Sequence, residues 1–549
     1  MNRRTILIGG CTAVILSLGF IAVGEDDVYA RIGRSMTTFG AVYREIASNY
    51  VDDIDPATVM EAGIDGMLSK LDPYSVYMKS EETEDVDMLS TGMYTGFGIT
   101  VGLRDKFLTI TNTRTGLPAQ QAGIRIGDRI HSIDGIVVDT MAPRDLRQFT
   151  RGTPGSMAAF RIIREGRQDT LDFMLRRVEM DVENIAHQEL LPGRIGYIRL
   201  ARFSRRSAED IRKTIGALRE EADLRGLVLD LRDNPGGLLD AAVGVVKLFV
   251  PKGSRIVTTR GRSAAEERTY ASDTDPVEPV LPLAVLINES SASASEIVAG
   301  AIQDLDRGVI IGRRSFGKGL VQTVIPLPYD AMLKMTTARY YTPSGRSIQK
   351  IDYAARRGDH RTMPDTAHFL TKNRRTVREL NGIEPDTLVS DSVYPAIVER
   401  LRDNDAFFRF GTVYTASMDS LPASFTADKA VIDAFLRFVE TMPTERRSPV
   451  LADLEYSRRQ AETERWPSAV LKSIEQAEKA AERELTKVLR QHQDAVKELL
   501  EQEIRARFQN DRVRLSRSLR VDPCVQAAVR VIGSARYATF LEAVTTDEQ

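Results

Sequence analysis

The sequence predicts a multidomain protein with helical segments at both ends and a mixed α+β and α/β middle. Three observations carry that expectation. At 549 residues the chain is too long for a single hydrophobic core. Its texture changes from helix-spaced apolar residues to short glycine-punctuated strands, then to alternating strands and helices, and finally to long amphipathic helix. Its composition, 42% hydrophobic and 28% charged, is that of ordinary globular domains.

Residues 1–30 come first. Arg3 and Arg4 precede an apolar, uncharged run from Thr5 to Val23. A basic start followed by such a run is an export signal. At about 19 residues it is long for a cleaved signal and just long enough to span a bilayer. Val28-Tyr29-Ala30 offers a small-residue cleavage site, so cleavage and retention as an anchor both stay open. Either way the bulk of the chain is expected outside the cytoplasm, in the periplasm, touching the inner membrane only if the segment is kept.

Residues 31–85 read as helical. Phe39, Val42, Ile46 and Tyr50, then Val59, Ile64, Met67, Leu68 and Leu71, recur at helical spacing until Asp72-Pro73 ends the run. Residues 86–178 read as strands with tight turns, at 107–110, 123–130, 158–164 and 169–175, the last two joined by Glu165-Gly166-Arg167. A short helix is expected at 144–149. The loop Gly96-Phe97-Gly98-Ile99 is glycine-rich enough to turn successive N–H groups inward.

Residues 179–350 alternate strands (195–200, 227–231, 283–287, 309–312) with helices (208–221, 238–249, 293–305), which predicts a layered α/β domain. Residues 351–549 form a C-terminal extension. Its 353–375 stretch is polar and basic and reads as loop, and helices are expected at 427–439 and 468–509. Along the second, Leu485, Val488, Leu489, Val496, Leu499, Leu500, Ile504 and Phe508 form an apolar stripe. That stripe packs either on the chain's own body or on a second copy, which would make a homo-oligomer through the C-terminal helices.

Several function classes are disfavoured. A net charge of −2 argues against a nucleic-acid binder, and the short basic cluster Arg202, Arg205 and Arg206 reads as solvated surface. The two cysteines, Cys11 and Cys524, stand too far apart in context to suggest a disulfide, and no Cys/His spacing suits a metal. No cofactor is expected. The five histidines are scattered, and none is an obvious catalytic base.

Two segments carry chemistry. Asn288-Glu289-Ser290-Ser291-Ala292-Ser293-Ala294-Ser295-Glu296 lies between a buried strand and a helix, where small residues allow a sharp turn that exposes a hydroxyl. Unpaired N–H groups at that helix start could stabilise an oxyanion. Serines followed by glutamate also make a plain helix cap, and alone the segment fits that reading better. Arg313-Arg314-Ser315-Phe316-Gly317-Lys318-Gly319 follows the next strand, and no Walker pattern surrounds its lysine.

The loop 96–99 with the segment 127–135 resembles a PDZ domain in the circularly permuted bacterial arrangement. The resemblance implies that Gly96, Phe97, Gly98 and Ile99 hold a peptide's terminal carboxylate while the adjacent strand edge pairs with its tail. The two chemical segments together resemble the C-terminal processing peptidases, or tail-specific proteases. That family pairs a serine in Ser-Ala-Ser-Ala-Ser-Glu with a lysine in Phe-Gly-Lys-Gly 25 positions later, a separation that picks out Ser293 and Lys318. Further matches are Gln322, Asp230-Leu231-Arg232, Asn234-Pro235-Gly236-Gly237, Leu71–Ser75 and the run from Ala338 to Ile348.

The resemblance implies a crotonase-like protease core with an inserted PDZ domain. It makes Ser293 the nucleophile, Lys318 the general base and Gln322 the residue that orients it. The oxyanion hole would be the N–H of Ala294 with that of Gly236 or Gly237. The partners would be protein or peptide substrates taken by their C-termini. A lysine acts as a base only when neutral. Moving its pKa from about 10.4 to about 7 disfavours the ammonium by about 4 kcal/mol. A neutral glutamine can orient such an amine where a carboxylate would keep it protonated. Two departures, Asp233 where the family commonly has Asn and Ser291 where it has Gly, fall beside the expected oxyanion hole. The competing reading is a PDZ-based periplasmic scaffold on an inactive core, which would not require the Ser293–Lys318 pair.

Overall fold

The computed structural model describes residues 28–542 except 80–87, 89–90, 144, 354–360, 363–366, 380, 390–393, 423, 510 and 536. The expected export run, 5–23, lies outside them. No helix among the described residues is long and apolar enough to cross a membrane.

The described chain forms two compact units. The smaller joins the N-terminal residues to Gln322–Thr336. In it a helix at 28–49 is followed by the helix Pro56–Leu68, whose start is fixed by the Asp55 carboxylate accepting from the N–H of Ala57 and Thr58. The strand Val76–Met78 pairs antiparallel with residues 332–334.

The larger unit begins with a β-domain. The main path of its sheet runs Ile99–Arg104, Phe107–Thr113, Arg129–Ile133, Met157–Ile163, Leu171–Arg176, antiparallel throughout. Ile99–Arg104 is an edge strand. Leu108, Ile110, Ile130, Phe160 and Ile162 fill the core, and the strands Met93–Gly96 and Val178–Asp181 pair where the chain enters and leaves.

The central sheet has six strands in the order Ile185–Leu191, Ile195–Leu200, Gly226–Asp230, Leu283–Ile287, Val309–Gly312, Thr387–Leu388. Its first pair is antiparallel and the rest are parallel. Every residue of Gly226–Asp230, Leu283–Ile287 and Val309–Gly312 is buried, which requires cover on both faces. Helices Ser207–Glu221, Leu239–Lys247 and Ala294–Asp304 pack over one face. The other is covered by Pro523–Gly533, through Cys524, Val525, Ala528 and Ile532.

That last helix corrects the sequence reading, which ended the α/β domain at residue 350. The segment 179–350 supplies helices for only one face, and the chain's far end returns to close the other. Two further corrections concern the extension. The 353–375 stretch includes part of a strand pair, His368–Leu370 with Thr376–Arg378, not loop alone. The helix expected over 468–509 is two, Ser468–Gln491 and Gln493–Ala506, broken at His492. Leu489, Val496, Leu499, Leu500 and Ile504 from its stripe are buried with Phe407, Phe410 and Phe435. These five residues of the stripe pack within the chain.

Candidate active site

Ser293 stands between the buried strand Leu283–Ile287 and the helix Ala294–Asp304, and from 291 to 304 it is the one residue that is not buried. Its backbone has φ 56° and ψ −112°, a conformation that costs a non-glycine residue on the order of 1–3 kcal/mol. The neighbouring serines have other employment. The Ser291 hydroxyl donates to Leu231 O at 2.8 Å and the Ser295 hydroxyl to Asn234 O at 2.9 Å, both buried. Ser290 is exposed in the turn.

The strained turn is held by Glu296, a fully buried carboxylate three residues on. Its Oε2 accepts the Ser293 N–H at 2.8 Å and the Lys318 N–H at 2.9 Å. Its Oε1 accepts the Gly317 N–H at 2.7 Å and the Ser315 hydroxyl at 2.6 Å. Burial pushes this carboxyl's pKa up, and the four donors act against that. A second tie comes from Tyr340, 1% exposed, whose hydroxyl lies 3.2 Å from Ser293 O and also against Lys318 O. One carboxylate and one phenol thus bind the main chains of the serine and the lysine together. Gly317, at φ 89°, is needed because a Cβ there would lie 2.6 Å from that of Lys350.

The turn Asp233–Gly237 faces the serine. A Cβ on Gly236 would lie 2.9 Å from Ser293 Cβ and 2.7 Å from Ala292 O, so only glycine fits. Its N–H, however, donates to Asn234 Oδ1 at 2.9 Å. Of the two glycines expected as alternatives beside Ala294, Gly236 therefore has its N–H engaged. Among the described residues, the N–H groups of Gly237 and Ala294 carry no hydrogen bond.

Both sequence departures are absorbed. Asp233, at φ 59°, exchanges hydrogen bonds with Asn288: its N–H donates to Asn288 Oδ1 (3.0 Å) and its carboxylate accepts from Asn288 Nδ2 (2.9 Å). Ser291 takes the glycine position with its hydroxyl bonded inward. Behind the turn, Asp230 is buried against Arg232, whose Nη2 lies 2.6 Å away, and accepts from the Tyr197 hydroxyl at 2.7 Å. Burial works to raise the Asp230 pKa, but the Arg232 guanidinium beside it holds the carboxyl below its ordinary value. Arg232 also reaches Asp522, whose carboxylate caps the helix Pro523–Gly533. Gln322 belongs to the other compact unit, where its Nε2 donates to Thr336 Oγ1 at 3.3 Å.

In the β-domain, Gly98 has φ 78°, and a Cβ there would fall 2.5 Å from that of Leu117. The carbonyls of Phe97 and Gly98 accept from Ala119 and Arg114, while among the described residues their N–H groups have no partner. Phe97 is buried edge-on against Phe160, which anchors the loop, and Ile99 begins the edge strand. Gly96 ends the preceding strand. Among the described residues no cluster of His, Cys, Asp or Glu could hold a metal.

The roles of Glu296 and Tyr340 were not read from sequence. Sequence patterning marks Glu296 only as a helix cap and Tyr340 only as part of a matching run.

Comparison with known proteins finds the pattern of peptidase family S41 over residues 194–355 and a PDZ domain over 86–160. Residues 23–83 match the N-terminal domain of the activating protease CtpB. Residues 397–532 match the C-terminal helical domain of a probable PDZ-protease. A carboxy-terminal-processing protease of Bartonella bacilliformis is 37% identical over 341 residues, covering 62% of this chain and 77% of its own length. The carboxy-terminal processing protease CtpB of Bacillus subtilis is 34% identical over 323 residues, covering 58% and 66%. A solved photosystem II D1 C-terminal processing protease is 27% identical and covers 65% of this chain and 88% of that one, with a TM-score of 0.37.

Proposed function

This chain belongs to peptidase family S41, among its PDZ-containing carboxy-terminal-processing serine proteases, and we propose that Ser293 is its nucleophile and Lys318 its general base. The observation that carries this reading is the shared Glu296 oxygen, which holds the backbone of both residues within two hydrogen bonds of each other. The Ser293 hydroxyl attacks the scissile carbonyl carbon as the neutral Lys318 amine takes its proton. The resulting oxyanion is received by the N–H groups of Ala294 and Gly237. The Lys318 ammonium then protonates the departing amine, and water, activated by the same lysine, releases the acyl group from Ser293. The family resemblance is what assigns Gln322 the task of orienting the lysine without adding negative charge.

Substrates are taken by their C-termini: the terminal carboxylate docks on the N–H groups of Phe97 and Gly98, and the tail lies along the edge strand Ile99–Arg104. We assign the substrates to the exported proteome, on the strength of the basic start and apolar run before residue 24, and the catalytic core to the crotonase-like fold. Replacing Ser293 or Lys318 by Ala should leave a folded protein and lower cleavage of an unfolded, free-tailed test protein by about 10⁴-fold or more. Near-normal cleavage by either variant would overturn the assignment.

A further inference from the structure

The β-domain and the C-terminal helices meet at the far end of the edge strand. The turn after it, Asp105-Lys106, has φ of 52° and 69° at its two residues. The Asp105 carboxylate is gripped by Arg409, at 2.9 Å, and by Arg446. Arg104, the last residue of the strand, reaches Asp405 at 3.0 Å and lies 5.3 Å over the Phe408 ring. Gly127 lies so close to the helix Ala406–Thr415 that a Cβ would sit 2.6 Å from Thr412 Cγ2.

These contacts enclose a cavity of about 210 Å³, walled by Phe107, Phe408 and Phe438 and edged by Arg104, Arg129 and Arg409. Asp105 and Glu165 also line it, so three arginines face two carboxylates. Arg129 stacks on Phe107 at 4.2 Å, and its Nε is buried without a hydrogen-bond partner. Such a wall favours a carboxylate, which would give Arg129 charge-assisted hydrogen bonds.

The direction of a bound tail follows from the loop. With its carboxylate at Phe97 and Gly98, at the start of the edge strand, a paired peptide must run antiparallel to Ile99–Arg104. At about 3.3 Å per residue, a strand of six residues is matched by about six of the peptide. The next residues upstream leave the strand at Arg104, one of the residues that line the cavity.

We propose that this cavity, built jointly by the β-domain and the C-terminal helices, is a second substrate subsite that takes an acidic side chain about seven residues before the C-terminus. The proposal rests on the tail-binding reading above, and the test separates the two. Full-length chain carrying Ser293→Ala, so that nothing is cleaved, is titrated with labelled peptides of five and nine residues. The nine-residue pair differ only in Glu or Lys at the seventh position from the end.

The Glu peptide should bind about tenfold tighter than the Lys peptide. Arg129→Gln should erase that difference and leave the five-residue peptide unaffected, whereas Glu165→Gln should widen it. Equal binding of the nine-residue pair, or a preference that survives Arg129→Gln, would overturn the subsite while leaving tail binding intact. If the five-residue peptide binds no better than its C-terminal amide, the tail reading itself fails and the subsite with it.

Discussion

The two anion cradles proposed for this protein would use the same backbone resource and are built in opposite ways. In the β-domain, the free N–H groups belong to adjacent residues, Phe97 and Gly98, and one tight turn anchored by a buried phenylalanine suffices. In the proposed oxyanion hole they would come from Gly237 and Ala294, which follow two different strands, and a network must keep them in register. Asn234, Ser291, Ser295, Glu296 and Tyr340 all bond main-chain groups of the two turns or of the lysine loop. A permanent carboxylate ligand tolerates a locally made loop. An oxyanion that exists only during reaction needs donors fixed in advance, because reorganisation at that moment raises the barrier.

The contrast is tested most severely at Glu296. Replacement by Gln keeps the shape but sets an amide NH₂ against backbone donors. It should lower stability by about 2–3 kcal/mol and kcat/KM by about 100-fold while tail binding is unchanged. Denaturant unfolding, proteolysis and peptide titration on one preparation would show it, and equal loss in both cradles would break the comparison.

The converse change is Gly98→Ala, whose methyl would collide with Leu117. Binding of a free-tailed peptide should fall by about tenfold or more, with turnover of a C-terminally amidated substrate unaltered. A parallel loss of amidated-substrate turnover would mean that the two cradles are not separable.

A smaller effect follows from Asp230, which lies behind the Asp233–Gly237 turn and, among the described residues, has no contact with the loop at 96–99. Its folded pKa is below the ordinary 3.8. The stability it contributes is therefore complete above the unfolded pKa and is lost as pH falls through the depressed value. Thermal unfolding followed downward from about pH 5 should show a decline of a few degrees below about pH 4. Asp230→Asn, though less stable overall, should flatten that limb.

The same difference decides what could be read from the sequence. The turn at 96–99 and the strand after it were legible because the glycines, the phenylalanine and the strand residues are consecutive. Ser293 and Lys318 are proposed from their spacing and the segments around them, and the structure adds that Glu296 bonds both main chains. Which glycine keeps its N–H was not legible, because Asn234 claims Gly236 through a side chain whose direction no pattern announces. Glu296 carried a usable signal, since a glutamate three residues after the serine faces Ser315 and Gly317, small donors beside the lysine. It was absorbed by the equally valid helix-cap reading. The closing helix Pro523–Gly533 was also written in the chain, as apolar residues at 524, 525, 528, 531 and 532. Its partner, a sheet nearly 300 positions earlier, is a long-range fact that periodicity cannot supply.

Whether Lys318 works as a base or only as a fixed positive charge is settled most directly by Lys318→Arg. Arginine keeps the charge and stays protonated, so it cannot accept the proton of Ser293. The account predicts kcat/KM for a free-tailed substrate as low in Lys318→Arg as in Lys318→Ala. Retention of a tenth or more of wild-type kcat/KM by the folded arginine variant would contradict it.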